Sequence, residues 1–118
     1  MLLQKIHHTH ECDVSSEEAI KDLVGFAIQK FKKLDVIFNN AGIGGAFGPI
    51  TEINLNDWQR TTSILLDSVF LGIKYAAKEM QRNSSGGSII NTSSIAGMAA
   101  GSGPQAYSAA KACLLYTS

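Results

Sequence analysis

The sequence predicts an α/β fold, a doubly wound parallel sheet with helices on its faces. Three observations carry that expectation. Short apolar runs of strand type alternate with amphipathic segments of helical period along the chain. The run at 36–38 is apolar throughout rather than alternating, as in strands buried on both faces. Polar or glycine-rich segments follow each run in turn, at Asp13, at 39–45 and at 93–97. In parallel sheets, ligands sit beyond the carboxyl ends of the strands, where these segments fall.

Element by element, residues 3–12 read as a short strand that runs into a turn at Asp13, Val14 and Ser15. Ser15 followed by Glu18 offers a capping box, a hydroxyl with a carboxylate three residues on. Behind it Ile20, Leu23, Val24, Ala27, Ile28 and Phe31 share one helical face, and Lys32 and Lys33 suit the negative C-terminal end. Val36, Ile37 and Phe38 form the second strand, followed by a loop holding Gly42, Gly44, Gly45, Gly48 and Pro49. Asn54 and Asp57 mark the next helix start. Trp58, Leu65, Leu66, Val69, Ile73, Ala76 and Met80 carry that helix to about Arg82. A polar turn at 83–87 leads to the third strand at 88–92 and a glycine-spaced loop at 94–103. Pro104 then opens a last helix. The predicted order is β-α-β-loop-α-β-loop-α.

A chain of 118 residues, 45% hydrophobic and 17% charged, has room for one small core and is not of disordered composition. Ten basic and ten acidic residues are scattered, which leaves no electrostatic footprint for nucleic acid or an anionic membrane. No apolar run reaches the length of a membrane span, and the first residues lack the pattern of a signal peptide. Cys12 and Cys113 make no disulfide framework, so a cytoplasmic location is expected. His7, His8 and His10 lack a cysteine or acidic partner at zinc-site spacing, and no metal site is predicted.

Tyr107 and Lys111, four residues apart, share a helical face. A phenol ordinarily loses its proton near pH ~10, and a neighbouring ammonium favours the phenolate. The pair can therefore serve in proton transfer near neutral pH. Ser94 lies just past a strand end, thirteen residues before Tyr107, where its hydroxyl can meet the phenol over a substrate oxygen. Ser108 and Lys111 also match the S-x-x-K pattern of acylating serine enzymes, but no S-D-N or K-T-G accompanies them.

Asn39-Asn40-Ala41-Gly42, the loop Ser94-Ile95-Ala96-Gly97, and Tyr107-Ser108-Ala109-Ala110-Lys111 at this order and spacing resemble the short-chain dehydrogenase/reductase family. The resemblance runs from about residue 9 to Ala112. It implies a fragment of a Rossmann-type doubly wound parallel sheet. It also implies an oxidoreductase using NAD or NADP to interconvert a small secondary alcohol and a ketone. By the resemblance Tyr107 is the catalytic acid/base, Ser94 polarises the substrate oxygen, and Lys111 lowers the Tyr107 pKa and holds the nicotinamide ribose. Asn40, Ala41 and Gly42 resemble the segment lining the adenosine side, and Asp13 with Val14 match the pair that contacts adenine. The helices from about Leu55 and from Gln105 resemble those that form the family's homodimer or homotetramer interface.

The chain departs from the family pattern at several points. Its loop reads Gly42-x-Gly44-x-x-Phe47 and fails G-x-G-x-x-G at the last position. The family's first two strands and its C-terminal part are missing, so residues 1–112 are expected to be a partial NAD(P)-binding domain that is inactive alone. Residues 113–118 are read as a non-native tail, matching one frame of a transposon-type sequencing adapter. The Asn that holds a relay water in the family is replaced by Leu65, so that a neighbour such as Ser68 supports the water or the relay is shortened. A catalytically inactive nucleotide-binding protein is the alternative function, and a truncated, non-functional fragment is the other.

Overall fold

A computed structural model describes residues 7–117. In chain order the elements are α1 (Glu17–Phe31), β1 (Val36–Asn39), α2 (Leu55–Thr62), a π turn (Ser63–Asp67), α3 (Ser68–Met80), β2 (Ser88–Asn91), a 3-10 turn (Ile95–Gly97) and α4 (Gln105–Thr117). β1 and β2 pair in parallel, with Val36 opposite Ser88 and Asn39 opposite Asn91. The α/β class with a parallel sheet is thus as the sequence predicts.

The expected first strand is not seen. Residues 3–6 lie outside the described residues, and 7–12 take no strand pairing. A strand exists only against a neighbour, and the sheet of the described residues has two strands, β1 and β2. Here the segment lies on α1 through its rings: His10 stacks on Phe26 at 4.7 Å, and His8 meets Phe31 edge-on at 5.5 Å. The helix start is also shifted by one residue. Ser16, not Ser15, is the N-cap, and its hydroxyl accepts from the Ala19 amide. Ser15 instead donates its amide and hydroxyl to the Asp13 carboxylate, which frees Glu17 and Glu18 from any capping box.

The expectation that 36–38 is buried on both faces is not met. Val36 is 52% and Phe38 60% exposed, whereas Ile37 is half-buried toward the helices. Helices of this unit cover one face of the sheet and leave the other open. The core lies on the covered side. α3 packs on the sheet through one face and on α1 through another, burying Val69, Leu71, Ala76 and Met80 with Ile20 and Val24 of α1. α4 closes against the π turn and the 3-10 turn, burying Ala106, Ala110 and Leu114 with Leu65 and Ala96.

The predicted long helix is one rod interrupted by a π turn. Asn54 caps it by accepting from the Asp57 amide at 2.9 Å. Thr61, Thr62, Ser63 and Ser68 all return their hydroxyls to carbonyls of the preceding turn, a habit that bends helices. The wide turn they flank places Leu65 fully inside. No helix of the described residues is long and apolar enough to cross a membrane.

Candidate active site

The carboxyl ends of β1 and β2 are tied side by side. The Asn39 amide group donates to the Asn91 side-chain oxygen at 2.8 Å, and the Thr92 hydroxyl donates to the Asn40 side-chain oxygen at 2.8 Å. The Thr92 amide continues the ladder by donating to the Asn39 carbonyl. These bonds hold the two post-strand loops as opposite walls of an open cleft of about 530 Å³. One wall is Asn40, Gly42, Ile43 and Gly44; the other brings Thr92, Ser94, Ala96, Tyr107 and Lys111.

Lys111 is 5% exposed, and a buried ammonium needs partners. It donates to the Thr92 carbonyl at 2.6 Å, and its nitrogen lies 5.7 Å from the Tyr107 ring centre. The loop after β2 is fastened to the same helix. Ser93 donates its hydroxyl to the Lys111 carbonyl at 2.7 Å. Gly97 sits on the α4 backbone, where an added Cβ would stand 2.7 Å from the Lys111 carbonyl carbon. Ser94 caps the 3-10 turn by accepting from the Ala96 amide at 3.2 Å. Since that bond uses a lone pair, the Ser94 hydrogen remains to be donated.

Of the residues singled out from sequence, Ser94, Tyr107, Lys111, Asn40 and Gly42 line this cleft. Val14 and Ala41 do not; they line a smaller recess of about 100 Å³ that shares Asn40 with the cleft. Asp13 lines neither. Its carboxylate is held below the ordinary range by the Ser15 hydroxyl and then by the Ser15 amide. Cys12 is partly buried, and burial followed by the Asp13 charge raises its thiol pKa. Ser68, considered for a relay water, has given its hydrogen to the Ile64 carbonyl at 2.6 Å and lies in the smaller recess.

Sequence reading missed Thr92, Ser93 and Thr61. The Thr92 carbonyl is a backbone group that any residue could supply, so composition carries no signal for it. Ser93 is separable from Ser94 only by knowing which hydroxyl faces α4. Thr61 lies one turn before Leu65 on the same face, a helical spacing that could have flagged it.

A cofactor with a ribose can be tested against these groups. An ammonium has three donors, and Lys111 spends one on Thr92, so others remain for hydroxyls in the cleft. The cleft volume is in the range of small-ligand sites. The nicotinamide-ribose end of such a cofactor fits. A phosphate cradle of G-x-G-x-x-G type is absent from the described residues.

A family model described as short chain dehydrogenase matches residues 3–116. The chain is 38% identical over 106 residues to short-chain dehydrogenase reductase 3a of Arabidopsis thaliana, covering 90% of this chain and 41% of that protein. Among solved structures it is similar to NAD+-bound xylitol dehydrogenase, with a TM-score of 0.82 at 34% identity, over 90% of this chain and 40% of that one. It is equally similar to ElxO with NADP bound, with a TM-score of 0.82 at 32% identity, over 90% and 42% of the two chains. The chain thus spans about two fifths of the length of these relatives.

Proposed function

The chain belongs to the short-chain dehydrogenase family, and from that premise we propose that its parent protein is an NAD(P)-dependent oxidoreductase interconverting a secondary alcohol and a ketone. The observation that carries this reading is the buried Lys111, held by the Thr92 carbonyl with its charge beside the Tyr107 ring and Ser94 in the same cleft. The Arabidopsis relative is named a dehydrogenase reductase, and the two structures hold NAD+ and NADP, which supports the choice of cofactor. When bound, the nicotinamide supplies the hydride acceptor or donor at the substrate carbon.

The chain's own residues handle the oxygen and the proton. Ser94 donates its free hydrogen to the substrate oxygen and fixes its direction. In the oxidising direction the Tyr107 phenolate takes the alcohol proton as the hydride leaves the same carbinol unit. In reduction the phenol returns that proton to the forming alkoxide. Lys111 holds its charge beside the Tyr107 ring and offers its remaining donors to the ribose. Asn40 and Gly42 bound the opposite side of the ligand, while Asp13, Val14 and Ala41 would meet the adenosine end.

In the full-length enzyme, Tyr107→Phe is expected to cut turnover by more than about a hundredfold, within the reach of acid-base catalysis, with cofactor binding nearly intact. Lys111→Ala is expected to damage both. Steady-state rates beside cofactor titration by NADH and NADPH fluorescence read the two effects. A Tyr107→Phe enzyme keeping most of its rate would sink the assignment. Leu65, buried where the family carries Asn, favours one second reading: a nucleotide-binding protein without turnover. Cofactor binding by a wild type that has no turnover with any alcohol would select it.

A further inference from the structure

Thr61 is a hydroxyl residue only 1% exposed, on the inner face of α2. Buried hydroxyls are hydrogen-bonded, and Thr61 has two bonds of different kinds. Its Oγ1 donates to the Asp57 carbonyl at 2.7 Å, a local return to its own helix. The same oxygen accepts from the Ala46 amide at 2.9 Å, in a buried bond that crosses from the helix to the glycine-rich loop. Residue 46 lies in no helix or strand, so the side chain does for its amide what secondary structure does elsewhere.

The neighbouring backbone is shaped to this contact. Gly45 has φ 78°, and a Cβ there would run into the Thr61 methyl. One helical turn later, Leu65 packs beneath Gly42, whose added Cβ would stand 3.3 Å from Leu65 Cδ2. One face of the rod therefore holds the loop at two points, by packing at Gly42 and by a hydrogen bond at Ala46. Ile43 and Gly44 lie between those points, and both line the cleft opposite Ser94 and Tyr107.

We propose that Thr61 is a positioning residue for the cleft. Through the Ala46 amide, its hydroxyl sets how close Ile43 and Gly44 stand to Tyr107 and Ser94. Thr61 touches no reacting atom, so its loss changes binding in the cleft more than the chemical step. The kinetic half of this proposal rests on the dehydrogenase reading; the hydrogen bond does not.

The full-length enzyme tests it with three variants and two readouts. Thr61→Val keeps the shape and loses the oxygen, Thr61→Ser keeps the oxygen, and Gly45→Ala pushes on the same contact from the loop side. Thr61→Val should speed hydrogen exchange at the Ala46 amide by about tenfold, the loss of one buried hydrogen bond, while Thr61→Ser holds it. Substrate KM should rise by about tenfold in Thr61→Val and in Gly45→Ala with kcat within about twofold, and Thr61→Ser should restore the wild-type value. Unchanged exchange in Thr61→Val overturns the proposal, as does faster exchange with an unmoved KM. Equal impairment by Ser and Val also overturns it, since the methyl and not the hydroxyl would then be at work. If Thr61→Val does not fold, an unmoved KM in Gly45→Ala overturns it. A wild type without turnover defeats the dehydrogenase reading instead, and exchange at Ala46 still decides whether the bond holds the loop.

Discussion

The two ends of the described chain differ in how their polar side chains are tied. From β2 to α4, several polar groups find protein partners and small residues let backbones meet, although the buried Ser108 hydroxyl has no partner among the described residues and Ile95, Met98 and Tyr116 are 72%, 75% and 86% exposed. Lys111 is buried on the Thr92 carbonyl, Ser93 is bonded to the Lys111 carbonyl, and Gly97 lies against the α4 backbone. From residue 7 to β1, large apolar groups stay in water. Phe31, Val36 and Phe38 are 46%, 52% and 60% exposed, and α1 buries only Ile20 and Val24. The site-bearing end is stitched within itself by partners 18 residues apart, Ser93 with Lys111, and 19 apart, Lys111 with Thr92, and to the β1 end by Asn91 and Thr92, each 52 residues from its partner.

Leu65 is the sharpest test of that contrast, because it stands under the well-packed end and carries the largest expected effect. From the sequence alone, with Ser68 supporting the relay water or the relay shortened, exchange to Asn at this position is expected to be tolerated with little gain in rate. Burial argues otherwise: the side chain is 0% exposed and its tip packs on Gly42. Leu65→Asn removes a buried apolar group and buries an amide without a partner, which should cost about 3 kcal/mol in urea unfolding of the full-length enzyme. A loss below about 1 kcal/mol would mean that a water already reaches this position, and the contrast between the two ends would weaken.

What was legible in the sequence follows the same division. Asn54 with Asp57 and Tyr107 with Lys111 rest on local spacing, and the structure has both the cap and the shared cleft. The fold class was legible for a similar reason, as alternation of periods needs no distant partner. The capping residue was misread by one position because Ser15 and Ser16 are chemically alike, and only the turn at Asp13 decides between them. The burial of 36–38 was misread because an apolar run records what a strand is suited to, not what covers it. The π turn was not legible at all, and for the bond from Ala46 to Thr61 the helical spacing of Thr61 and Leu65 could flag the hydroxyl but not its partner, a backbone amide such as every sequence shares.

Phe38 gives the complementary test at the open end, with a smaller effect. A residue 60% exposed gains little from its neighbours in this unit. Phe38→Ser in the 118-residue chain should change stability by less than about 0.5 kcal/mol, the range of ordinary surface substitutions. It should also raise solubility, because an apolar group beside an exposed strand promotes association. Chemical denaturation and light scattering of the two chains side by side read both effects. A loss of several kcal/mol would show that the open face is covered in solution, and the two ends would then differ less than described.

The smallest expected effect belongs to a polar tie that joins α1 to α3. The Glu17 carboxylate accepts from Lys74 Nζ at 2.7 Å and from the Tyr75 hydroxyl at 2.8 Å. Lys74, and after it Tyr75, holds the carboxyl below its ordinary value, and Glu17 in turn raises Lys74 above its own. A lowered carboxylate pKa means stability that is present above the unfolded value and is lost as pH falls through the folded one. A raised ammonium pKa means stability that is present below the unfolded value and is lost as pH rises through the folded one. The tie is therefore whole between those limits and fails at both, while Glu17→Gln keeps the shape but not the charge. Urea midpoints of wild type and Glu17→Gln should differ slightly at neutral pH and converge below the carboxylate range. Both charged groups are exposed, so added salt should close the neutral gap as well. A gap that persists in acid, or that salt leaves untouched, would assign the contact between α1 and α3 to packing of Ile20 and Val24 alone.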